Sequence, residues 1–319
     1  METNKATQRQ QEKAMNNSKT FFAVTIDPLH IGAGGYRLGR VDNTIVREPG
    51  SGLPKLPGTS ISGVCRNYAI YGLENGDKDK AEKCAMGKDL DPKEKNNCGQ
   101  CVICKTFGYA NGKTQKSQIG KVKFFDGTIT AFPVSTLAGP VWVTTASILK
   151  GLGQENVKEP GREELFINFD LPGQKKDKQK LNLGWLYLPC KKKDFSLPDE
   201  AKNGPGAEIA KRLVVAPEWL FPEIVNANLE VRTSVSIDFE TGAADSGKLF
   251  TYEAIPRAAL VQFDVVVDEY RCATDPDADK VWNIVQKGMA LFEPLGLGGM
   301  NTRGFGRLKV LNLESNGGQ

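Results

Sequence analysis

Phe21-Phe22-Ala23-Val24-Thr25-Ile26, closed by Asp27-Pro28, decides the fold class. Aromatic, small and β-branched residues without a charge read as a buried strand, and the Asp-Pro pair stops it. A glycine-rich loop follows, Gly32-Ala33-Gly34-Gly35, and then a turn-rich stretch over 49–58. Next comes the clearest amphipathic helix of the chain. Thr59 or Ser60 is its expected cap, and Ile61, Val64, Cys65, Tyr68 and Ala69 recur at i, i+3, i+4, i+7 and i+8. Its other face carries Ser62 and Arg66 one turn apart, with the small Gly63 leaving room for close approach. The far end repeats the plan: a strand over 260–267, a helix over 279–292 with Val281, Ile284, Val285 and Met289 inward, and a strand over 306–313. Strands are also expected over 121–129 and 141–145. A hairpin is expected over 229–254, and a short strand, 183–188, within an exposed loop over 175–206. Two β-α-β ends with insertions between them predict an α+β protein built on a ferredoxin-like β-α-β-β-α-β core with an antiparallel sheet.

The chain has 319 residues, enough for two domains or one large domain with insertions. With 39% hydrophobic and 25% charged residues it is neither disordered throughout nor collagen-like nor a coiled coil. Residues 1–19 hold almost nothing to bury and read as a disordered tail. The start lacks the apolar stretch of a secretory signal, and no apolar run reaches the ~18 residues of a membrane span, so a cytoplasmic protein without a membrane partner is expected. The net charge of +4 is too small to announce a nucleic-acid binder. It is unevenly placed: 171–212 holds ten Lys/Arg against five Asp/Glu, a local +5 that leaves −1 for the rest.

Four of the seven cysteines, Cys84, Cys98, Cys101 and Cys104, fall within 21 residues. Cys98-x2-Cys101-x2-Cys104 with Cys84 upstream offers four thiolates to one tetrahedral ion, which suits structural Zn2+. The ferredoxin cluster run would place a cysteine and a proline where Gly108 and Tyr109 stand. His30 is the only histidine and sits after the first strand, at a loop mouth, where a structural and a ligand-contacting role are both open. Asp42 lies among Arg37, Arg40 and Arg47, placed either to pair with them or to hold a divalent ion. Gly296-Leu297-Gly298-Gly299-Met300-Asn301-Thr302-Arg303-Gly304-Phe305-Gly306 joins the last helix to the last strand and offers backbone amides and an arginine to an anion.

Taken together, Pro28-Leu29-His30-Ile31-Gly32, Gly39-Arg40-Val41-Asp42-Asn43 and Leu53-Pro54-Lys55-Leu56-Pro57-Gly58-Thr59-Ser60-Ile61-Ser62-Gly63-Val64-Cys65-Arg66 resemble the opening motifs of the RAMP superfamily. Specifically, they are similar to the backbone subunits of type III CRISPR effector complexes, the Cas-seven group of Cmr and Csm type. Cys101-Val102-Ile103-Cys104-Lys105-Thr106-Phe107-Gly108, Gly120-Lys121-Val122-Lys123-Phe124-Phe125-Asp126, Phe132-Pro133-Val134-Ser135 with Trp142-Val143-Thr144, and the terminal glycine loop continue the resemblance in the family's order.

The resemblance implies a filament subunit for antiviral defence that wraps a guide crRNA, holds complementary target RNA beside it, and assembles with further copies of itself and other effector subunits. It implies an RRM-like palm over 20–75, 119–170 and 255–315, a zinc-binding insertion over 76–118, and a basic insert with a thumb hairpin over 171–254. The thumb matches 231–250. RNA contacts would fall to His30, Gly32, Arg37, Arg40, Thr59, Ser60, Ser62, Arg66, Gly298, Gly299, Asn301, Thr302 and Arg303. Ser62 stands where the family carries lysine, which shifts phosphate contact to Arg66. Asp42 matches the family's catalytic aspartate, which implies Mg2+-dependent endoribonuclease cleavage of the target at regular intervals, leaving a 2′,3′-cyclic phosphate. The alternative is a non-catalytic backbone subunit, like that of type VII effectors, that presents the duplex to a separate nuclease. A guide-processing ribonuclease would call for a histidine-based acid/base set, which a single histidine does not supply. An unrelated zinc-bearing RNA-binding protein would leave the ordered motifs unexplained.

Overall fold

The structure, a computed structural model, describes residues 17–34, 41–73, 84, 99–111, 116–174, 178–272 and 274–314. Strand β1 (Ser18–Thr25) leads through an irregular strip and the short β2 (Lys55–Leu56) into helix α1 (Gly58–Ala69). The cysteine segment contributes α2 (Val102–Phe107), β3 (Gly108–Asn111) and β4 (Lys116–Ile119). There follow β5 (Val122–Phe124), β6 (Gly127–Val134), β7 (Val141–Thr145), α3 (Ala146–Gly151) and β8 (Leu165–Ile167). Next are β9 (Lys180–Leu183), β10 (Leu186–Lys192), α4 (Gly206–Ala210), β11 (Leu213–Ala216) and α5 (Phe221–Ala227). The hairpin β12 (Glu230–Ile237) and β13 (Ala244–Ala254) precedes β14 (Leu260–Val267), α6 (Ala278–Ala290), α7 (Phe292–Leu295) and β15 (Leu308–Val310).

One sheet runs β15-β1-β14-β6-β7-β11-β8-β10-β9, with β2 on β6 and β5 on β14. At its β15 end β1 is antiparallel to β15 and β14, and β14 is antiparallel to β6. The uncharged run in β1 follows from this central place. Phe21 and Ala23 enter one core with Ile61 and Cys65 of α1 and Val281 and Val285 of α6. Phe22 and Val24 enter a second core on the other face with Leu149, Phe195 and Leu213. A strand covered on both sides cannot alternate apolar with polar, so Phe21, Phe22, Ala23 and Val24 are apolar in succession. Among the described residues no helix is long and apolar enough to cross a membrane.

Several sequence expectations are corrected. The first strand begins at Ser18 rather than Phe21, because Ser18 and Lys19 pair through their backbone with Val266 and Val265, which needs no apolar side chain. Residues 1–16 of the expected tail lie outside the described residues. Neither Thr59 nor Ser60 caps α1: its N-cap is Pro57, and the Gly58 amide donates to the Asp126 carboxylate at 2.8 Å. That same aspartate, also held by Lys55 at 2.7 Å, interrupts the expected strand 121–129 between β5 and β6. The expected exposed loop over 175–206 instead supplies β9 and β10, folded about Gly184 at φ 62°, to the main sheet. Leu181, Leu183 and Cys190 provide the buried positions that polar neighbours had masked. The last strand is confined to β15, three residues long.

Helices α1 and α6 cross at Cys65 and Gly288. A Cβ on Gly288 would lie 2.6 Å from the Cys65 carbonyl oxygen and 2.8 Å from its Sγ. Gly63, on the outer face of α1, has open space around it. The two glycines therefore respond oppositely to the same change: Gly288→Ala is expected to cost about 1–3 kcal/mol through overpacking. Gly63→Ala is expected to stabilise by up to about 1 kcal/mol through helix propensity. Urea unfolding of the two variants beside the parent chain checks both signs.

Candidate nucleic-acid interface

The strip that follows β1 is laid against the root of the β12–β13 hairpin, and Glu253 holds it there. The Glu253 carboxylate accepts from the Ile45 amide at 3.2 Å and from Arg47 at 2.6 Å. Its backbone amide donates to Asn43 O at 3.0 Å, and its backbone oxygen lies 2.6 Å from His30 Nδ1, which carries the proton of that bond. His30 is buried, edge-on to Tyr252 at 5.9 Å between centroids. The only histidine thus serves as a packing post; Gly32, beside its ring, pairs with Ile45.

Asp42 sits at the exposed edge of the strip. Its Oδ2 accepts from both the amide and the hydroxyl of Thr251 at 2.8 Å, and its own amide donates to Thr251 Oγ1 at 2.9 Å. The Thr251 amide, and after it the hydroxyl, hold the Asp42 carboxyl below the usual aspartate range, so it is ionised at neutral pH. Oδ1 receives no hydrogen bond from another described residue. Arg47, one of the expected partners of Asp42, is occupied instead by Glu253, Gly52 O and Asn226. Arg37 and Arg40 lie outside the described residues.

The terminal glycine loop is a clasp rather than an open row of amides. The amides of Leu297, Gly299, Arg303 and Gly306 donate to Gly306 O, His30 O, Met300 O and Pro28 O. Gly298, at φ +86°, brings its Cα side so near that a Cβ would lie 2.6 Å from His30 O. Asn301 reaches back to Leu295 O at 3.3 Å. What the loop turns outward is Thr302 and Arg303, both exposed. Arg232 of β12 fastens it from the hairpin side, donating to Gly304 O at 3.3 Å and lying 4.7 Å over the Phe305 ring.

Beyond its root the hairpin stands clear of the core. Val231, Val235, Ile237, Leu249 and Phe250 are exposed along it, and Phe239 at the turn is wholly exposed. Asp238 stiffens that turn, its carboxylate accepting from the amides of Glu240 and Thr241.

On α1, Thr59 is exposed and Ser60 and Ser62 are partly so. Arg66 points elsewhere, donating to Gly108 O at 2.6 Å and Cys84 O at 2.8 Å. Its expected phosphate contact is therefore corrected to a tie between α1 and the cysteine segment. There the Cys84, Cys101 and Cys104 sulfurs lie within 4.8 Å of one another, close enough to ligate one metal ion. Cys98 lies outside the described residues. The bond to Cys101, and then burial, push the Cys104 thiol up, which a bound cation would reverse.

Sequence reasoning had singled out Asp42, His30 and the glycine loop, and the fold brings all three to the hairpin root. Thr251, Arg232 and Glu253 were missed. Each acts across more than 70 residues of chain, on partners that no local spacing reveals.

A family model for the RAMP superfamily matches residues 22–309. The CRISPR system Cmr endoribonuclease Cmr4 of Pyrococcus furiosus is 26% identical over 92% of this chain and 96% of its own. The CRISPR system Cms endoribonuclease Csm3 of Methanothermobacter thermautotrophicus is 23% identical over 90% of this chain and 80% of its own. Among solved structures, a chain of the type III-B Cmr-beta complex in its apo state superposes with a TM-score of 0.61 at 16% identity, covering 92% of this chain and 96% of that one. The mixed α/β architecture is thus shared with that structure.

The Arg47–Glu253 pair is largely withdrawn from water, with 26% and 12% of the side chains exposed. Arg47→Met is expected to destabilise by about 3 kcal/mol because it strands a buried carboxylate. Adding Glu253→Gln should recover part of that loss. A double-mutant cycle by thermal melting measures the coupling.

Proposed function

The chain belongs to the RAMP superfamily, and from that premise we propose that it is a guide-crRNA-binding backbone subunit of a type III CRISPR effector that cleaves complementary target RNA through Asp42. The order β15-β1-β14-β6, antiparallel throughout and carrying α1 and α6, supports reading this part as the ferredoxin-like, RRM-type palm. The β12–β13 hairpin is then the thumb. Two relatives along nearly the whole chain bear the name endoribonuclease.

A subunit that accepts any guide must grip phosphates and 2′-hydroxyls and leave base edges to pairing. The outward groups suited to this are the hydroxyls of Thr59, Ser60, Ser62 and Thr302 and the cation of Arg303, with Arg37 and Arg40 in the same role. His30, Gly32, Gly298, Gly299 and Asn301 serve it indirectly, by shaping the clasp. Further copies of the chain and other effector subunits extend the grip into a filament, in the cytoplasm.

The exposed apolar hairpin, tipped by Phe239, is suited to enter between bases and displace one target nucleotide. Regular A-form geometry keeps a ribose 2′-OH out of line with its own phosphate; a displaced nucleotide can reach in-line geometry. The 2′-hydroxyl gives its proton to water, its oxygen bonds to phosphorus as the bond to the 5′-oxygen breaks, and the leaving 5′-oxygen takes a proton from water, giving a 2′,3′-cyclic phosphate and a 5′-hydroxyl. Asp42, ionised and exposed, offers Oδ1 at this point to orient the reacting group. That oxygen also suits Mg2+, which would be held by Asp42 and phosphate oxygens and would supply stabilisation of developing negative charge.

The observation that carries this reading is the placement of Asp42 on the hairpin root through Thr251. The scaffold alternative, a subunit presenting the duplex to another nuclease, gives no role to a carboxylate held there. In the reconstituted complex with Mg2+, Asp42→Ala is expected to abolish the regularly spaced products while guide and target binding persist. Phe239→Ser should weaken cleavage and its regular spacing. Unchanged products from Asp42→Ala would leave the subunit a scaffold.

For the cysteine segment we propose structural Zn2+ on Cys84, Cys98, Cys101 and Cys104. Sulfurs around tetrahedral zinc lie about 3.8 Å apart, from Zn–S bonds of about 2.3 Å, and the three described sulfurs meet that spacing loosely. Elemental analysis should find about one zinc per chain. Chelation should lower the melting temperature, whereas a metal-free chain with unaltered melting would refute the site.

A further inference from the structure

Thr251 spends both of its donors on one oxygen of a surface carboxylate. Its amide and its hydroxyl each reach Asp42 Oδ2 at 2.8 Å, and the Asp42 amide returns a bond to Thr251 Oγ1 at 2.9 Å. A hydroxyl has one proton to give, so the directions are settled: the proton goes to Oδ2 and a lone pair receives the Asp42 amide. The carboxylate of an exposed loop residue would otherwise rotate freely. Here Oδ2 is pinned, and Oδ1 accepts no bond from another described residue.

The location of Thr251 gives this pinning its interest. It stands on β13 opposite Thr233, and the next pair toward the tip on the same face is Leu249 with Val235, both exposed. Positions two apart on a strand are about 7 Å from one another. An exposed apolar stripe therefore begins about 7 Å along the strand from the residue that holds the carboxylate. The threonine also has little to do for the loop's own fold. Asn43 N to Thr251 O and Glu253 N to Asn43 O, both at 3.0 Å, already bind the strip to β13 through backbone atoms, and Glu253 and Arg47 secure it further.

We infer that Thr251 is the positioning residue of the Asp42 carboxylate, so that the hairpin which displaces a target nucleotide also carries, as one rigid body, the group that acts beside it. The inference rests on the reading of Asp42 as the nuclease carboxylate. It concerns the chain's own residues and holds with or without a metal on Oδ1. Thr251 touches no reacting atom; its contribution is to the geometry of Asp42.

The test is single-turnover cleavage of a labelled complementary RNA by the reconstituted complex at saturating target, for the parent chain, Asp42→Ala, Thr251→Val and Thr251→Ser. Valine keeps the shape and the backbone bonds and deletes the hydroxyl. Thr251→Val is expected to slow cleavage by about tenfold, the worth of one charge-assisted hydrogen bond. Its target affinity, its cleavage positions and its melting temperature should match those of the parent. Thr251→Ser, which restores the hydroxyl, should recover most of the rate. If Thr251→Val cuts at the parental rate while Asp42→Ala is inactive, Asp42 keeps its role and Thr251 loses the one inferred here. A Thr251→Val chain that loses target binding in proportion to cleavage, or melts early without rescue by serine, assigns Thr251 to the scaffold and likewise overturns the inference. Continued cleavage by Asp42→Ala removes the nuclease reading itself, and the positioning role with it.

Discussion

Glu253 is the residue on which the site depends. It is a carboxylate with 12% of its side chain exposed, and such a group is tolerated only when its charge and its lone pairs are satisfied. Arg47 supplies the charge, and the Ile45 amide supplies a second bond. The backbone of the same residue takes His30 on one side and Asn43 on the other. One residue near the end of β13 therefore binds the strip carrying Asp42, the histidine under the glycine loop and the hairpin root. Electrostatics explains why this junction is rigid: each group that left would strand another in a poorly solvated place.

The two halves of the hairpin root are fastened differently. β13 is held through Glu253 and Thr251 to the Asp42 strip, whereas β12 is held through Arg232 to Gly304 and Phe305 of the terminal loop. Since that loop in turn closes over His30, the root sits between the segment after the first strand and the segment before the last one. Beyond Val235 the pairing register shifts and the side chains are exposed. The exposed apolar part of the hairpin and the Asp42 contact thus lie at different points along a single element, held at its root.

How much of this was legible in the sequence follows from how local each feature is. β14 and α6 were read nearly to the residue, since β-branched runs and a 3.6-residue period are written in consecutive positions. The basic insert was misread because its buried residues, Leu181, Leu183 and Cys190, are scattered among lysines and a Gly-Trp turn, while the pairings that make it sheet come from distant β8. Asp42 was found through a family motif. Thr251 carries no signal of its own, being one more threonine in an exposed strand whose partner lies 209 positions earlier.

Arg66 shows why residue type and motif position do not by themselves assign a role. An arginine one turn after Ser62, in the last turn of α1, has the right charge for a phosphate, yet its guanidinium spans two carbonyl oxygens, Gly108 O and Cys84 O, in the cysteine segment. Among the described residues, the hydrophobic support of that segment is a satellite core of Ala69, Ile70, Val102, Ile103 and Ile284. A segment with so little to bury gains its fixed place from directed bonds rather than from area. The arginine is therefore better used in joining the cysteine segment to α1 than in facing solvent. Under the function proposed above, the cations offered to RNA are then Arg303, Arg37 and Arg40 rather than Arg66. On that reading helix α1 offers hydroxyls, which would suit a surface that must hold any guide at the ribose and phosphate without preferring one base over another.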